Sequence, residues 1–410
     1  MKFFRIKLNT ITILDSTLKN IYIIRNIKYL RYSQTMEIKR NSNFELLRII
    51  TMLCVVATHT CAFTFETPGF LGKFYALYYA FGLAGLNSFF MMSGYFMGNR
   101  PAVSKKKIIS MFVQIIYCQI ISLIVYVLFK ISGLYVSQGI TTMQIFGIVV
   151  RFYIVPITSV VYWYITVYML LLALIPVINP FLQKLNLKGF IILLLIEGLI
   201  WYGFSFVFHY RYTHLQRAVF FYTLGVFFKF YANEKSLKRL LCSIGLFAVC
   251  YAISVTLFYL FHNEQARSEF FIKYLHKDIG GSQYVDMMLH YAAYIIFSPI
   301  CSILLFEIFK NITFSCNIIN VISATTFSVY LLHCQPLFNS SIKSIKLPSA
   351  PLSEPGKHIA FEILSWVLMF AICSAVDLIR ITLLKNKIDS LTNKGIAIIK
   401  EKFYRTAEIQ

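Results

Sequence analysis

The stretch LLRIITMLCVVATHTCAFTF, Leu46–Phe65, decides how this chain is read. It is long enough to cross a hydrocarbon layer of about 30 Å as one helix. Two ionisable residues interrupt its apolar character, Arg48 and, after ten intervening residues, His59. A helix turns about 100° per residue, so eleven steps return to nearly the same face, roughly 20° away, after a rise of about 16 Å. Arg48 is therefore expected near one membrane surface, with His59 deep and above it on the same side. Ionisable groups are costly in lipid and commonly face a cavity, which makes this pair a candidate site.

Composition supports the same reading for the whole chain. Of 410 residues, 58% are hydrophobic and only 14% charged, with a mean hydropathy of +0.68. A soluble domain carries nearer a quarter charged residues, so a polytopic membrane protein is expected. The formal charge of +22 does not point to nucleic acid, because the polar stretches hold no basic-aromatic module. Anionic headgroups and topology signals account for it more simply. The nine cysteines form no CxxC and no Cys/His ligand spacing, so they are read as small core residues and no metal is expected.

Segments near 20 residues long predict about ten transmembrane helices in an all-α fold. They fall at 46–65, 76–97, 108–130, 160–181 and 189–208, then at 216–231, 240–261, 288–309, 318–338 and 358–380. The apolar stretch 141–157 is broken by Arg151 and Pro156 and reads as re-entrant or interfacial. The basic terminal regions and the Lys105–Lys107 cluster predict both termini on the cytoplasmic side. Residues 1–35 form a basic extension, 36–384 the membrane domain and 385–410 a charged cytoplasmic tail. Met36 opens MEIKRNSNFELLR, which reads as a natural start; a start placed too far upstream and a true basic extension are the two accounts of residues 1–35. No Walker A, GxSxG or HExxH motif occurs.

An imidazole in a low-dielectric pocket tends to stay neutral and able to accept a proton, which suits His59 to act as general base on a hydroxyl. A packing histidine bonded to a neighbouring carbonyl is the plainer account of the same residue. Arg48 could anchor the helix by snorkelling, pair with Glu45 three residues earlier, or clamp phosphate through its planar fork. Glu197, inside LLLIEGLIWYG, should face the bundle interior. His333 could contact an acceptor or make a structural bond. Arg211 and Arg217 border an outer loop. His209, His214, His262, His276, His290 and His358 carry no spacing signal. Gly94, in Ser93-Gly94-Tyr95, is expected to allow close backbone approach.

These residues carry a resemblance. The Arg48–His59 spacing resembles the first-helix signature of the acyltransferase-3 family of membrane O-acyltransferases. Phe89-Phe90-Met91-Met92-Ser93-Gly94-Tyr95 is similar to that family's FFxxSGY block. Tyr162-Trp163-Tyr164, with Tyr168 and Pro176, resembles its fourth-helix pattern, and Ser328-Val329-Tyr330-Leu331-Leu332-His333 its YLLH block. The similarity runs in order from about Glu37 to Arg380, without a fused SGNH domain.

The resemblance implies a multi-pass enzyme of the cell (cytoplasmic) membrane. It would move an acetyl or other acyl group from cytoplasmic acyl-CoA to a hydroxyl of an envelope or exported glycan. His59 and Arg48 are then the catalytic candidates. Arg48, Arg100, Lys105, Lys106 and Lys107 would meet the CoA phosphates, although lysines stand where many members carry arginines. Glu197, Trp163, Arg217 and His333 are candidates for contact with a glycan or lipid-linked saccharide acceptor. Acetyl-CoA is a donor substrate in this reading, with no permanently bound cofactor, and the remaining partners are the bilayer and no nucleic acid. The alternative is a transporter or flippase for a lipid-linked or acylated glycan.

Overall fold

The computed structural model describes residues 41–61, 64–67, 69–134, 162–208, 214–345 and 353–384, with isolated positions 147, 351 and 390. All regular structure among them is helical. The long helices are α1 (Asn43–Thr60), α2 (Phe70–Met97), α3 (Lys105–Ile131), α4 (Trp163–Leu182), α5 (Leu187–Phe208), α6 (His214–Tyr231) and α7 (Leu237–His262). After the short helix α8 (Glu264–Leu275) come α9 (Gln283–Asn311), α10 (Asn317–Cys334), the short α11 (Pro336–Lys343) and α12 (Pro355–Leu384).

Each expected segment falls on one of the long helices. Six of them, α3, α4, α7, α9, α10 and α12, are apolar enough over their length to cross a membrane. Their outward faces carry exposed aliphatic side chains, such as Ile120 and Leu128 on α3 and Leu241 and Val249 on α7. The helices α1, α2 and α6 fall outside that set. They also hold many of the buried polar residues, among them Glu45, Asn87, Ser88, Arg217 and Thr223. A helix surrounded by protein can carry such groups provided neighbouring side chains satisfy them.

These three helices form the centre. Residue α2 Gly94 and α6 Gly225 make the closest approach: a Cβ on Gly94 would lie 2.0 Å from the Tyr222 carbonyl oxygen, and one on Gly225 2.0 Å from that of Met91. Only hydrogen fits at either position, as the expectation for Gly94 required. The helix α1 packs between α2 and α10, with α12 beside it. Inter-helix polar bonds fix the register. Asn87 Nδ2 on α2 donates to Ser302 Oγ on α9 at 3.0 Å, and Tyr162 donates to the Leu331 carbonyl of α10 at 2.7 Å.

Several boundaries differ from the sequence reading. The first helix ends at Thr60, with Cys61 already extended, so His59 lies in the last turn rather than in mid-helix. The ninth expected span, 318–338, stops at Cys334, because Pro336 cannot continue it and instead opens α11. The segment between the expected spans 240–261 and 288–309 contains α8, whose start is capped by the Asn263 side chain accepting from Ala266 N at 2.8 Å. Apart from Gly147, the stretch 141–157 lies outside the described residues, as do the 1–35 extension, Met36 and, position 390 aside, the 385–410 tail.

Candidate active site

The C-terminal turns of α1 and α10 meet, and the encounter joins His59 to His333. Their nitrogens, His59 Nδ1 and His333 Nε2, are 3.0 Å apart. The ring centroids are 5.2 Å apart with the planes only 23° off parallel. Those values together set the rings edge to edge, so that an N–H on one points at the lone pair of the other. The second nitrogen of His333, Nδ1, lies 2.6 Å from the Val329 carbonyl oxygen of its own helix.

That last contact assigns the protons. A carbonyl only accepts, so His333 Nδ1 carries the hydrogen. In a neutral ring Nε2 is then an acceptor, and His59 Nδ1–H must be its donor. The neutral His59 therefore has its lone pair on Nε2. His333 is fully buried, whereas His59 is exposed to a cavity of about 240 Å³. Lys343 Nζ on α11 donates to the His59 carbonyl at 3.2 Å, placing a cation at the end of α1 where the helix dipole favours it.

The cavity is walled by aromatic rings. Trp163 and Tyr164 come from α4, Tyr79 from α2, Tyr330 from α10 and His214 from α6. His214 stacks on Trp163 at 4.3 Å, and the Arg217 guanidinium lies 5.3 Å from the same indole. Tyr79 is held by Tyr294, whose hydroxyl lies 2.9 Å from that of Tyr79 and 3.0 Å from His262 Nε2. Tyr294 belongs to a π-helical turn of α9, Tyr291–Phe297, a local unwinding that frequently accompanies functional sites. A polar-tipped aromatic pocket of this kind suits a ring-bearing polar substrate.

A second cavity, of about 530 Å³, opens at the other end of α1. Its lining includes Arg48, Lys229, Lys235 and Lys310, with Glu45 as the acidic member. Arg48 Nη1 bonds Glu45 at 2.9 Å, while Ser323 Oγ donates to the same carboxylate oxygen. The Glu45 side chain is buried, but that of Arg48 is 31% exposed, so the guanidinium still faces the cavity. Lys310 is buried, paired with Glu307 at 2.8 Å and bonded to the Ala232 carbonyl. Lys229 sits over the Tyr95 ring at 5.1 Å. Tyr164, in the His59 cavity, is within electrostatic reach of Arg48.

The expected residues thus divide. His59 and Trp163 line one cavity, with His333 behind His59 and Arg217 against Trp163. Arg48 lies at the other cavity. Arg100, Lys105 and Lys106 are exposed near the end of α2 and line neither cavity; Lys107 reaches Met97 Sδ at 3.5 Å. The basic residues that line the second cavity beside Arg48 are Lys229, Lys235 and Lys310. Glu197 is also apart, accepting from Thr223 Oγ1 at 3.0 Å between α5 and α6. Ser93 Oγ donates to the Phe89 carbonyl one turn back. His214, which has no spacing signal, reaches the site only because α4 and α6 start side by side.

Comparison with known proteins fits this arrangement. The family model described as "Acyltransferase domain", acyltransferase-3, matches residues 41–378. The chain belongs to the acyltransferase-3 family. The matched region begins just before α1 and ends within α12, so it contains both cavities. Neither a curated protein nor a solved structure matches. Membership in the acyltransferase-3 family, with several helices long and apolar enough to span, makes this a multi-pass membrane acyltransferase.

Proposed function

We propose that the protein is an O-acyltransferase of the cytoplasmic membrane, with about ten spanning helices and cytoplasmic termini, that moves an acetyl group from acyl-CoA to a glycan hydroxyl. One observation carries the proposal. A single helix has a basic cavity at one end, at Arg48, and a histidine with a free Nε2 lone pair in an aromatic cavity at the other. The basic end suits a polyphosphate head, and the rise of about 16 Å between the two residues is what an extended pantetheine arm would cover.

In the reaction, His59 Nε2 takes the proton of the acceptor hydroxyl as the oxygen attacks the thioester carbonyl. The imidazolium that forms is stabilised through its Nδ1–H bond to His333, whose own orientation is held by the Val329 carbonyl. As the tetrahedral centre collapses, the carbon–sulfur bond breaks, and the CoA thiolate leaves with the proton carried by His59. The aromatic wall, Trp163 and Tyr164 above all, stacks on the sugar face. Arg48, Lys229, Lys235 and Lys310 bind the phosphates, and their positive charge supports a cytoplasmic position for that cavity. No observation favours the transporter reading raised by the sequence.

The test is transfer of label from acetyl-CoA to envelope glycan in membranes holding equal amounts of the wild type and a His59→Ala variant. The expected result is transfer by the wild type and loss by about 10²–10⁴ in the variant. Equal transfer by both would remove His59 from the chemistry.

A further inference from the structure

The C-terminus of α10 places a thiol beside the two histidines. Cys334 Sγ lies 3.3 Å from His333 Nε2 and 3.6 Å from His59 Nδ1, and the nitrogens are 3.0 Å apart. These three atoms make one compact triangle. Three ligands on one face of a tetrahedral zinc ion, with Zn–N of about 2.0–2.1 Å and Zn–S of about 2.3 Å, would be separated by about 3.3 Å between nitrogens and about 3.6 Å between nitrogen and sulfur. The observed triangle departs from that by a few tenths of an ångström. We infer that His59, His333 and Cys334 form a site for a borderline-soft divalent cation of the Zn²⁺ type.

Three features besides the distances favour the site. His333 donates its other ring N–H to the Val329 carbonyl, the outer contact that fixes the tautomer and direction of a ligating imidazole. His59 is the ligand that lines the cavity, so its ring can turn until the two lone pairs converge. The ligand set of two neutral imidazoles and one thiolate suits Zn²⁺ and not the hard cations Mg²⁺ or Ca²⁺.

Binding has a defined proton balance. Cys334 loses its thiol proton to solvent, and neutral His59 gives up the hydrogen on Nδ1 to free that lone pair, regaining one on Nε2. One proton is released per ion bound. The consequence, which rests on the acyl-transfer reading, is inhibition. An Nε2–H cannot accept a proton from a hydroxyl, so the ion switches off the base without entering the substrate cavity.

The test uses the full chain in detergent micelles with its affinity tag removed, titrated with Co²⁺ as a spectroscopic substitute. One equivalent should give the intense visible bands of tetrahedral cobalt together with a thiolate-to-cobalt charge-transfer band, and Zn²⁺ should displace it. In Cys334→Ser the charge-transfer band should vanish. In Cys334→Ser and His333→Ala alike, affinity should fall by more than the roughly 10–100-fold that losing an outer-shell partner costs. The conservative serine keeps the shape of the site, and equal melting temperatures of the metal-free proteins exclude misfolding as the cause. A weak octahedral spectrum in the wild type would overturn the site. So would a charge-transfer band that persists in Cys334→Ser, which would belong to another thiol such as the exposed Cys242.

A second arm measures acyl transfer with added Zn²⁺, each protein normalised to its own metal-free rate. Inhibition reversed by a chelator, with Cys334→Ser requiring more than about tenfold higher Zn²⁺, is the expected result. Unchanged or increased transfer with the site filled would overturn the inhibitory role. The cobalt arm does not depend on activity, so a failure of the acyl-transfer reading and a failure of the metal site are separately visible.

Discussion

Replacing His333 by Ala isolates the contribution of a fully buried residue that lines neither cavity. In the structure it accepts the Nδ1–H of His59 at 3.0 Å and is itself held by the Val329 carbonyl at 2.6 Å. Without it, His59 Nδ1–H is left with only the weak sulfur acceptor of Cys334 at 3.6 Å, and the tautomer with its lone pair on the cavity side is less favoured. A buried donor left unsatisfied costs about 1–3 kcal/mol, and each 1.36 kcal/mol on the barrier is about tenfold in rate. The expected fall in kcat is therefore about 5- to 150-fold, smaller than for His59→Ala. KM for acyl-CoA and for the acceptor should be unchanged, because His333 is fully buried and His59 still occupies its place. A conservative His333→Gln, whose amide oxygen can accept from His59, should recover part of the loss. The assay is release of CoA thiol at varied acyl-CoA and acceptor, in membranes of equal enzyme content. If His333→Ala keeps kcat within twofold of wild type, the proton assignment is wrong and His59 acts without a relay. If instead KM rises with kcat constant, His333 contacts substrate and the buried placement fails.

Other outcomes follow from the same contacts. Arg48→Gln should raise KM for acyl-CoA by about 10- to 100-fold, as expected for losing a charged hydrogen bond, with the acceptor KM unaffected in initial-rate kinetics. In the same assay Lys229→Met and Lys235→Met should raise that KM, while Lys105→Met, outside the cavity lining, should leave it within twofold. Gly225→Ala should destabilise the protein by at least about 1–3 kcal/mol in thermal unfolding in detergent, since its Cβ would meet the Met91 carbonyl at 2.0 Å. Gly245→Ala, on the lipid-facing helix α7 with nothing within 4 Å, should instead be stabilising by about 0.5–1 kcal/mol; a loss there would contradict the packing of α7. Asp377→Ala should cost about 3–5 kcal/mol, because the buried Arg380 loses its partner at 2.6 Å and Ser328 loses its acceptor at 2.7 Å.

Much of the fold was legible without coordinates because the signal is local. A run of about twenty apolar residues must satisfy its backbone internally in lipid, and a helix does so wherever that run lies. For this reason the expected segments coincide with helices, and the misses are at ends: Thr60 and Cys334 stop their helices five and four residues before the apolar runs do. Composition continues to look apolar past those points, while the backbone is governed by Cys61 turning extended and by Pro336. The Arg48–His59 spacing was likewise readable, since a periodicity within one helix depends on neither neighbour nor packing.

What the sequence alone determined, then, is a helical membrane chain with two ionisable residues on one face of its first helix. Which groups those two residues meet was decided only by tertiary packing. His333 and Cys334 are some 275 positions from His59, and only the crossing of α1 with α10 brings them into one triangle. The basic cavity likewise gathers Lys229 of α6, Lys235 of the segment that follows it and Lys310 of α9 beside Arg48 of α1, while Arg100 and Lys105–Lys107 are outside its lining. Hydropathy records how much surface each helix can bury, but not against which partner, and the direction of a side chain into a shared cavity exists only once the partners are in place.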